Sequence, residues 1–371
     1  MMSGVPVTTV GSQSTGPAWP ELAVLGLRPE DVPDLASSRE ASDRAIAALR
    51  TRCAQLAVSR EIGEGCSVLA FGSLARRELT RTSDFDFFVV DPQAATSRAS
   101  GLAAGTVAEL CGLAAIAAFG PEATPLGAPG TTLVFGGLVP ESELSNTIGL
   151  EDDTNGHMTR RILVLAESLS LHGEEAHRAI LQTVVHRYLR ERRPGSDKPP
   201  RYLINDITRY WRTLSVDFQA KTQSKGNFGV RYLKLLTSRK FLFAATLFPI
   251  MFRRPEEWCE IERAESALVA GYMAPPLDRA AAMLERIPDD ERQQVAEIVR
   301  GIVVALDGFK RLLGDPEWRE TVERESRDFD DPRAQPAYSE GMRTAAGVGD
   351  GLSRLFFDTT ARDFTRAFLV F

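Results

Sequence analysis

Cysteine and histidine are scarce in this chain, with four of each in 371 residues. Cys53, Cys66, Cys111 and Cys259 form no Cys-x-x-Cys pair, and His157, His172, His177 and His186 fall into no ligand spacing with them. A zinc centre is therefore not expected, and the thiols read as buried or incidental. No run of about 18 apolar residues occurs, so no membrane span is expected. The opening Met-Met-Ser-Gly-Val-Pro-Val-Thr-Thr lacks the basic and apolar regions of a signal peptide, which makes the expected location cytoplasmic. There is no internal repeat. The run Gly347-Val-Gly-Asp-Gly351 lacks the Lys-Ser/Thr of a phosphate-binding P-loop and reads as a flexible turn. No nucleic-acid module motif appears, and a pI near 5.5 argues against nonspecific binding to a phosphate backbone.

What is present describes a globular protein. Hydrophobic residues make up 43% of the chain and the net charge is −6, and the length suits two or three domains. Residues 1–20 are rich in Gly, Ser, Thr and Pro and are expected to be disordered, with Trp19 and Leu22 to Leu27 docking onto the body. Residues 21–155 are expected to form a small α/β domain with a leading helix over Glu40 to Leu56. Its further elements are a strand ending at Phe71, a second strand from Asp84, an Ala-rich helix near Thr96 to Ala118, a Pro/Gly-rich loop to Gly130 and a strand over Thr131 to Val139. Residues 156–327 carry apolar stripes at helical spacing and predict a bundle, including helices over Phe228 to Phe248, Glu256 to Tyr272, Pro276 to Arg286 and Glu291 to Leu313. Residues 328–371 read as a polar loop followed by a last helix or docked tail. The expected fold class is α+β, a small mixed sheet followed by helices.

The chemistry concentrates in residues 71 to 91, which place Gly72-Ser73, a ten-residue spacer, and Asp84 and Asp86 inside an apolar run. A strand ending at Gly72 lets the backbone and the Ser73 hydroxyl approach a phosphate closely. On an extended chain Asp84 and Asp86 project from one face and can share divalent cations, while Phe85, Phe87 and Val89 take the other face. Two carboxylates on one face of an apolar strand are costly without a cation or hydrogen bonds to balance them.

Through Gly72, Ser73, Asp84 and Asp86 the segment resembles the signature of the DNA polymerase β-like nucleotidyltransferase superfamily. The Arg-Arg-Glu-Leu-Thr stretch and the Ser83-Asp84 step look most like its bacterial branch of protein-modifying uridylyl- and adenylyltransferases. The resemblance covers roughly 25 residues directly. It implies transfer of a nucleoside monophosphate from a triphosphate, ATP or UTP, to a hydroxyl, with Mg²⁺ or Mn²⁺ held by Asp84 and Asp86 and the triphosphate cradled by Gly72 and Ser73. The acceptor is left open among a protein, a small molecule and a specific RNA end. Two other outcomes stay open: a catalytically weak triphosphate-binding regulatory module, and a nucleotidyltransferase toxin of a toxin–antitoxin or defence pair.

Superfamily members place a third carboxylate on a later strand, and the run Thr131 to Val139 carries none. Glu141, Glu143 and the Glu151-Asp152-Asp153 cluster are the candidates, with Asp152 or Asp153 favoured; the same cluster also suits the start of a helix near His157. Between Arg187 and Lys240 fourteen Lys/Arg face four Asp/Glu. In this basic segment Arg231, Lys234 and Ser238 share one helical face, and Asn205, Arg209 and Arg212 form a similar stripe on the preceding helix. By resemblance to enzymes that close the site with a helical domain, Lys234 and Ser238 are expected to contact the phosphates.

Overall fold

The computed structural model describes residues 19–129, 135–146, 148–149, 151–190, 193, 195–225, 228–326 and 335–370. The fold is α+β. Helices α1 (Pro20–Val24) and α2 (Pro33–Val58) lead into strand β1 (Ser67–Ala70), the one-turn helix α3 (Gly72–Ala75) and strand β2 (Phe87–Asp91). Helix α4 (Ala104–Phe119), strand β3 (Leu138–Pro140), helices α5 (Glu141–Ser145) and α6 (Asn155–Glu167), strand β4 (Leu169–His172) and helix α7 (Glu174–Arg190) follow. The sheet order is β3-β2-β1-β4. Strand β1 pairs antiparallel with β2 and β4, and β2 pairs parallel with β3.

The mixed sheet is buried on both faces. Val68, Ala70, Phe85, Phe87 and Val89 enter one core with residues of α2 and α4, such as Leu49 and Leu110. Leu69, Phe71, Phe88 and Val90 enter the other, against α6 and α7. Period-2 alternation therefore sorts one strand between two cores. The Ala-rich helix begins at Ala104 rather than Thr96, because Arg98 and Leu138 exchange two backbone hydrogen bonds at 2.9 Å and hold the intervening chain at the sheet edge. Strand β3 begins only at Leu138; residues 131–134 of the expected strand lie outside the described residues. The sheet also takes its fourth strand, Leu169–His172, from beyond residue 155, in the stretch expected to be helical throughout.

The remaining chain is helical: α8 (Arg201–Lys225), α9 (Phe228–Lys234), α10 (Lys240–Met251), α11 (Ile261–Met273), α12 (Pro276–Met283), α13 (Asp289–Gly314), α14 (Pro316–Glu325), α15 (Pro336–Phe357) and α16 (Ala361–Thr365). A π turn, Leu235–Arg239, joins α9 to α10 without a break. Among the described residues no helix is long and apolar enough to cross a membrane. At the start of the chain, residues 1–18 of the expected disordered segment lie outside the described residues. Trp19 is docked as expected: its indole N–H donates to Asp278 Oδ1 (3.0 Å), and the Arg39 guanidinium lies 4.4 Å from its ring centre while pairing with the same carboxylate.

The glycine run 347–351 is not a turn. It lies inside α15, which packs along α13. The missing side chains allow that approach, since a Cβ on Gly351 would stand 2.4 Å from Ile302 Cγ1 and one on Gly347 3.1 Å from Ala305 Cβ. Close packing outweighs the propensity cost of glycine in a helix, which is about 1 kcal/mol per residue. Gly351→Leu is therefore expected to force the two helices apart and destabilise the protein by about 1–3 kcal/mol. Urea denaturation measures this, and an unchanged midpoint would show that the contact carries no such constraint.

Candidate active site

The Gly-Ser turn and the two aspartates are held by the sheet. Phe71 N–H donates to Asp86 C=O (2.8 Å), so the segment before β2 continues the pairing of β1 with β2 beyond its regular start at Phe87. On the other side the Pro/Gly-rich loop lies alongside Asp84: Phe85 N–H donates to Gly127 C=O (2.8 Å) and Gly127 N–H to Ser83 C=O (3.1 Å). Asp84 and Asp86 are thus extended, on one face, and solvent-accessible, while Phe85 and Phe87 are fully buried behind them.

A glycine makes room for each carboxylate. A Cβ on Gly127 would fall 2.1 Å from Asp84 Oδ1, and one on Gly72 3.1 Å from Asp86 Oδ2. Gly72 also has φ +67°, in the left-handed region that a side chain disfavours. From this turn α3 begins, and its return loop is tied back where Glu78 N–H donates to Ser73 C=O (2.7 Å).

All six residues singled out in the sequence, Gly72, Ser73, Asp84, Asp86, Lys234 and Ser238, line one cavity of about 280 Å³. This is close to the lower end of small-molecule sites. Its floor is the turn and the aspartates, and its walls come from α6, α8, the α9–α10 helix and α13. Other basic residues of the segment stay outside. Arg231 does not reach the cavity and buries an Nη1 with no hydrogen-bond partner among the described residues. Arg209 pairs with Asp206, and neither Asn205 nor Arg212 lines the space.

Three cations at the site escaped the sequence reading: Arg76, Arg239 and Lys310. Arg239 is five residues after Lys234, which on a regular helix of 3.6 residues per turn would turn it about 140° away. The π turn closes its hydrogen bonds over five residues and swings Arg239 back to the face of Lys234 and Ser238. Lys310 comes from α13, more than 220 residues beyond Asp86, and no local spacing links them. Arg76 lay within the quoted motif, but its ion pairs with Glu78 (3.1 Å) and with Glu167 of α6 involve a partner from outside it.

The favoured third acids do not reach the cavity. Asp153 is buried in a bidentate pair with Arg161 (2.7 and 3.1 Å) and accepts from Gly149 N–H. Asp152 is exposed, and the helix behind it is capped by Thr154, which accepts from His157 N–H (3.2 Å). Glu143 is engaged by Arg160 and Ser97, and Glu141 and Glu151 do not line the space. The acids that do, besides Asp84 and Asp86, are Glu78, Glu167 and Asp217 of α8. Among the described residues no group of three or more His, Cys, Asp or Glu is arranged to hold a metal ion.

Electrostatics divides the cavity. Lys234 Nζ and the Arg239 guanidinium have no hydrogen-bond or ion-pair partner among the described residues, although both are half-buried. Burial first, and then Arg319, Arg239 and Arg76, push the Lys234 ammonium down to about 8, against the pull of Asp84. Lys310 is likewise pushed down to about 8, by burial and then by Arg76 and Lys234, with Glu78 opposing. Burial also lowers the Arg239 pKa. Desolvated, mutually repelling cations thus share one cavity with two carboxylates.

No family model, curated protein or solved structure matches this chain. Gly127→Ala is expected to drive the Asp84 carboxylate out of its place, since the N–H and C=O of Gly127 are both bonded to the Ser83–Phe85 backbone and hold the loop against it. The expected cost is about 1–3 kcal/mol in denaturant melts, with a rotated Asp84 in a crystal structure. A variant with parental stability and an unmoved carboxylate would show that the loop yields instead.

Proposed function

We propose that this chain is a metal-dependent nucleotidyltransferase of the DNA polymerase β-like kind. It would move a nucleoside monophosphate from an NTP, ATP or UTP, to a hydroxyl of a protein or small molecule, or to an RNA end, and release pyrophosphate. One observation carries the reading: the Gly-Ser turn and the paired aspartates share a cavity with Lys234, Ser238 and Arg239, some 150 residues further along, whose cations have no counter-ion among the described residues.

The donor set fits Mg²⁺, which is held by one or two carboxylates plus substrate phosphates and waters rather than by a full protein cage. Asp84 and Asp86 would hold it, each in the space that a glycine leaves open. The ion supplies neutralisation of phosphate charge and a lowered pKa for a bound hydroxyl. Ser73 hydrogen-bonds the β/γ end of the triphosphate, with Gly72 leaving room for its approach. Lys234 and Arg239 balance its charge from the opposite wall, and Ser238 adds a hydroxyl. The acceptor oxygen bonds to the α-phosphorus as the bond to the bridging oxygen breaks, the electron pair leaves with pyrophosphate, and the acceptor proton passes to solvent.

A second reading, a regulatory module that binds NTP·Mg²⁺ without transfer, is favoured by the absence of a three-acid group among the described residues. Incubation with each α-labelled NTP, Mg²⁺ or Mn²⁺ and a cell lysate separates the two. The transferase labels an acceptor and releases pyrophosphate; the module binds and does neither. Asp84→Asn with Asp86→Asn is expected to abolish labelling and the rise in melting temperature on adding divalent metal, while the metal-free protein stays as stable as the parent or gains stability. Labelling at the parental rate would remove these aspartates from the reaction.

The lysines make a pH prediction. A bound polyphosphate favours their charged forms, so binding near pH 8 should take up protons, and affinity should fall as pH rises through about 8, where Lys234 and Lys310 lose theirs. Calorimetry in two buffers of different ionisation enthalpy reads the uptake directly. Affinity unchanged between about pH 7 and 9.5 would remove both lysines from the phosphate site.

A further inference from the structure

Lys310 is 8% exposed and lies on α13, remote in sequence from every motif residue, yet its ammonium donates to the backbone carbonyl of Glu78. The N–H of the same residue donates to Ser73 C=O (2.7 Å). A chain of two hydrogen bonds through Glu78 therefore connects α13 to the Gly72-Ser73 turn. The loop between is held on its other sides as well. Arg77 sits at φ +60°, a conformation that costs energy without glycine, and pairs with Asp43 of α2 (2.5 Å). Leu79 N–H donates to Ser42 Oγ of α2 (3.0 Å), and Arg76 ties the Glu78 carboxylate to Glu167 of α6.

The partner that Lys310 has is weaker than the one a buried lysine ordinarily takes. The Glu78 carboxylate is occupied by Arg76, and Lys310 forms no ion pair among the described residues. A buried ammonium satisfied by a neutral carbonyl leaves much of its desolvation cost uncompensated, so an apolar side chain of similar length would serve folding at least as well. Its charge nonetheless stands on the cavity wall, close enough to Lys234 and Arg76 for all three to repel.

We infer that Lys310 is a positioning residue for polyphosphate binding: it fixes the Gly72-Ser73 turn through Glu78 and adds its charge to the wall facing the anion. The inference rests on the nucleotidyltransferase reading and names a residue of α13 as part of that site. It separates stability from binding, because a merely structural lysine is expected to lower the melting temperature when lost, whereas this one lowers affinity instead.

The full-length chain, Lys310→Met and Lys310→Arg are titrated with sodium tripolyphosphate and Mg²⁺ by calorimetry, melted without ligand, and assayed for NTP turnover. Lys310→Met is expected to bind tripolyphosphate roughly tenfold more weakly or worse, with a melting temperature equal to or above the parent's. The KM for NTP is expected to rise by the same factor, with kcat within about threefold, because the interaction is made equally in the ground and transition states. Lys310→Arg is expected to recover most of the affinity. Parental affinity in Lys310→Met, or an affinity loss accompanied by a fall in melting temperature, overturns this inference alone. A parent chain that binds neither tripolyphosphate nor any NTP overturns the functional reading with it.

Discussion

Two carboxylates on a strand whose other side chains are buried on both sides set the terms for the rest of the molecule. Asp84 and Asp86 cannot turn inward, because Phe85, Phe87 and Phe88 are fully buried in the two cores. Among the described residues the sheet strands contribute no cation to the cavity, and Lys234, Arg239 and Lys310, which line it, stand on helices from a different part of the chain. The cations there lie too far from water to be ordinary surface charges, and the Arg239 guanidinium and Lys234 ammonium are not paired off with acids among the described residues.

The Gly-Ser turn is rigid for a related reason. Gly72-Ser73 is too short to hold its hydroxyl in one place by itself. Its return loop is fastened by α2 through Ser42 and Asp43, by α6 through Glu167 and by α13 through Lys310. The one buried ion pair among these, Arg76 with Glu167, contributes little net stability, because desolvation offsets much of its attraction. The value of these fastenings is conformational: each restricts where Ser73 can be. Arg76 stands between two glutamates and pairs with both Glu78 and Glu167.

Several backbone irregularities cluster at the same site. The π turn at Leu235–Arg239 brings two side chains to the cavity face where a regular helix would bring one. The left-handed Gly72 and Arg77 bracket α3, and the Gly127 loop lies where no side chain fits. Each departs from the lowest-energy local geometry and each touches, or abuts a residue that touches, the cavity. Elsewhere Gly347 and Gly351 of α15 serve packing against α13, the helix that carries Lys310.

The sequence by itself determined the local elements: the Asp-x-Asp segment with its aromatic anchor, most long helices, and the shared face of Lys234 and Ser238. These follow from periods of 2 and 3.6, which depend only on near neighbours. It misled where the deciding contact was distant. The run Gly347 to Gly351 carries every sign of a turn, and only its fit against Ile302 makes it helix. Asp153 resembled a metal ligand until Arg161 claimed it, and the start of α4 was set by pairing between Arg98 and Leu138. Tertiary structure alone decided the membership of Arg76, Arg239 and Lys310 in the cavity. Arg239 needs a change of helical pitch that spacing does not reveal, and Lys310 needs two segments over 200 residues apart to fold together. Complementary charges on distant segments leave no period in a sequence, because the physics that pairs them acts through space.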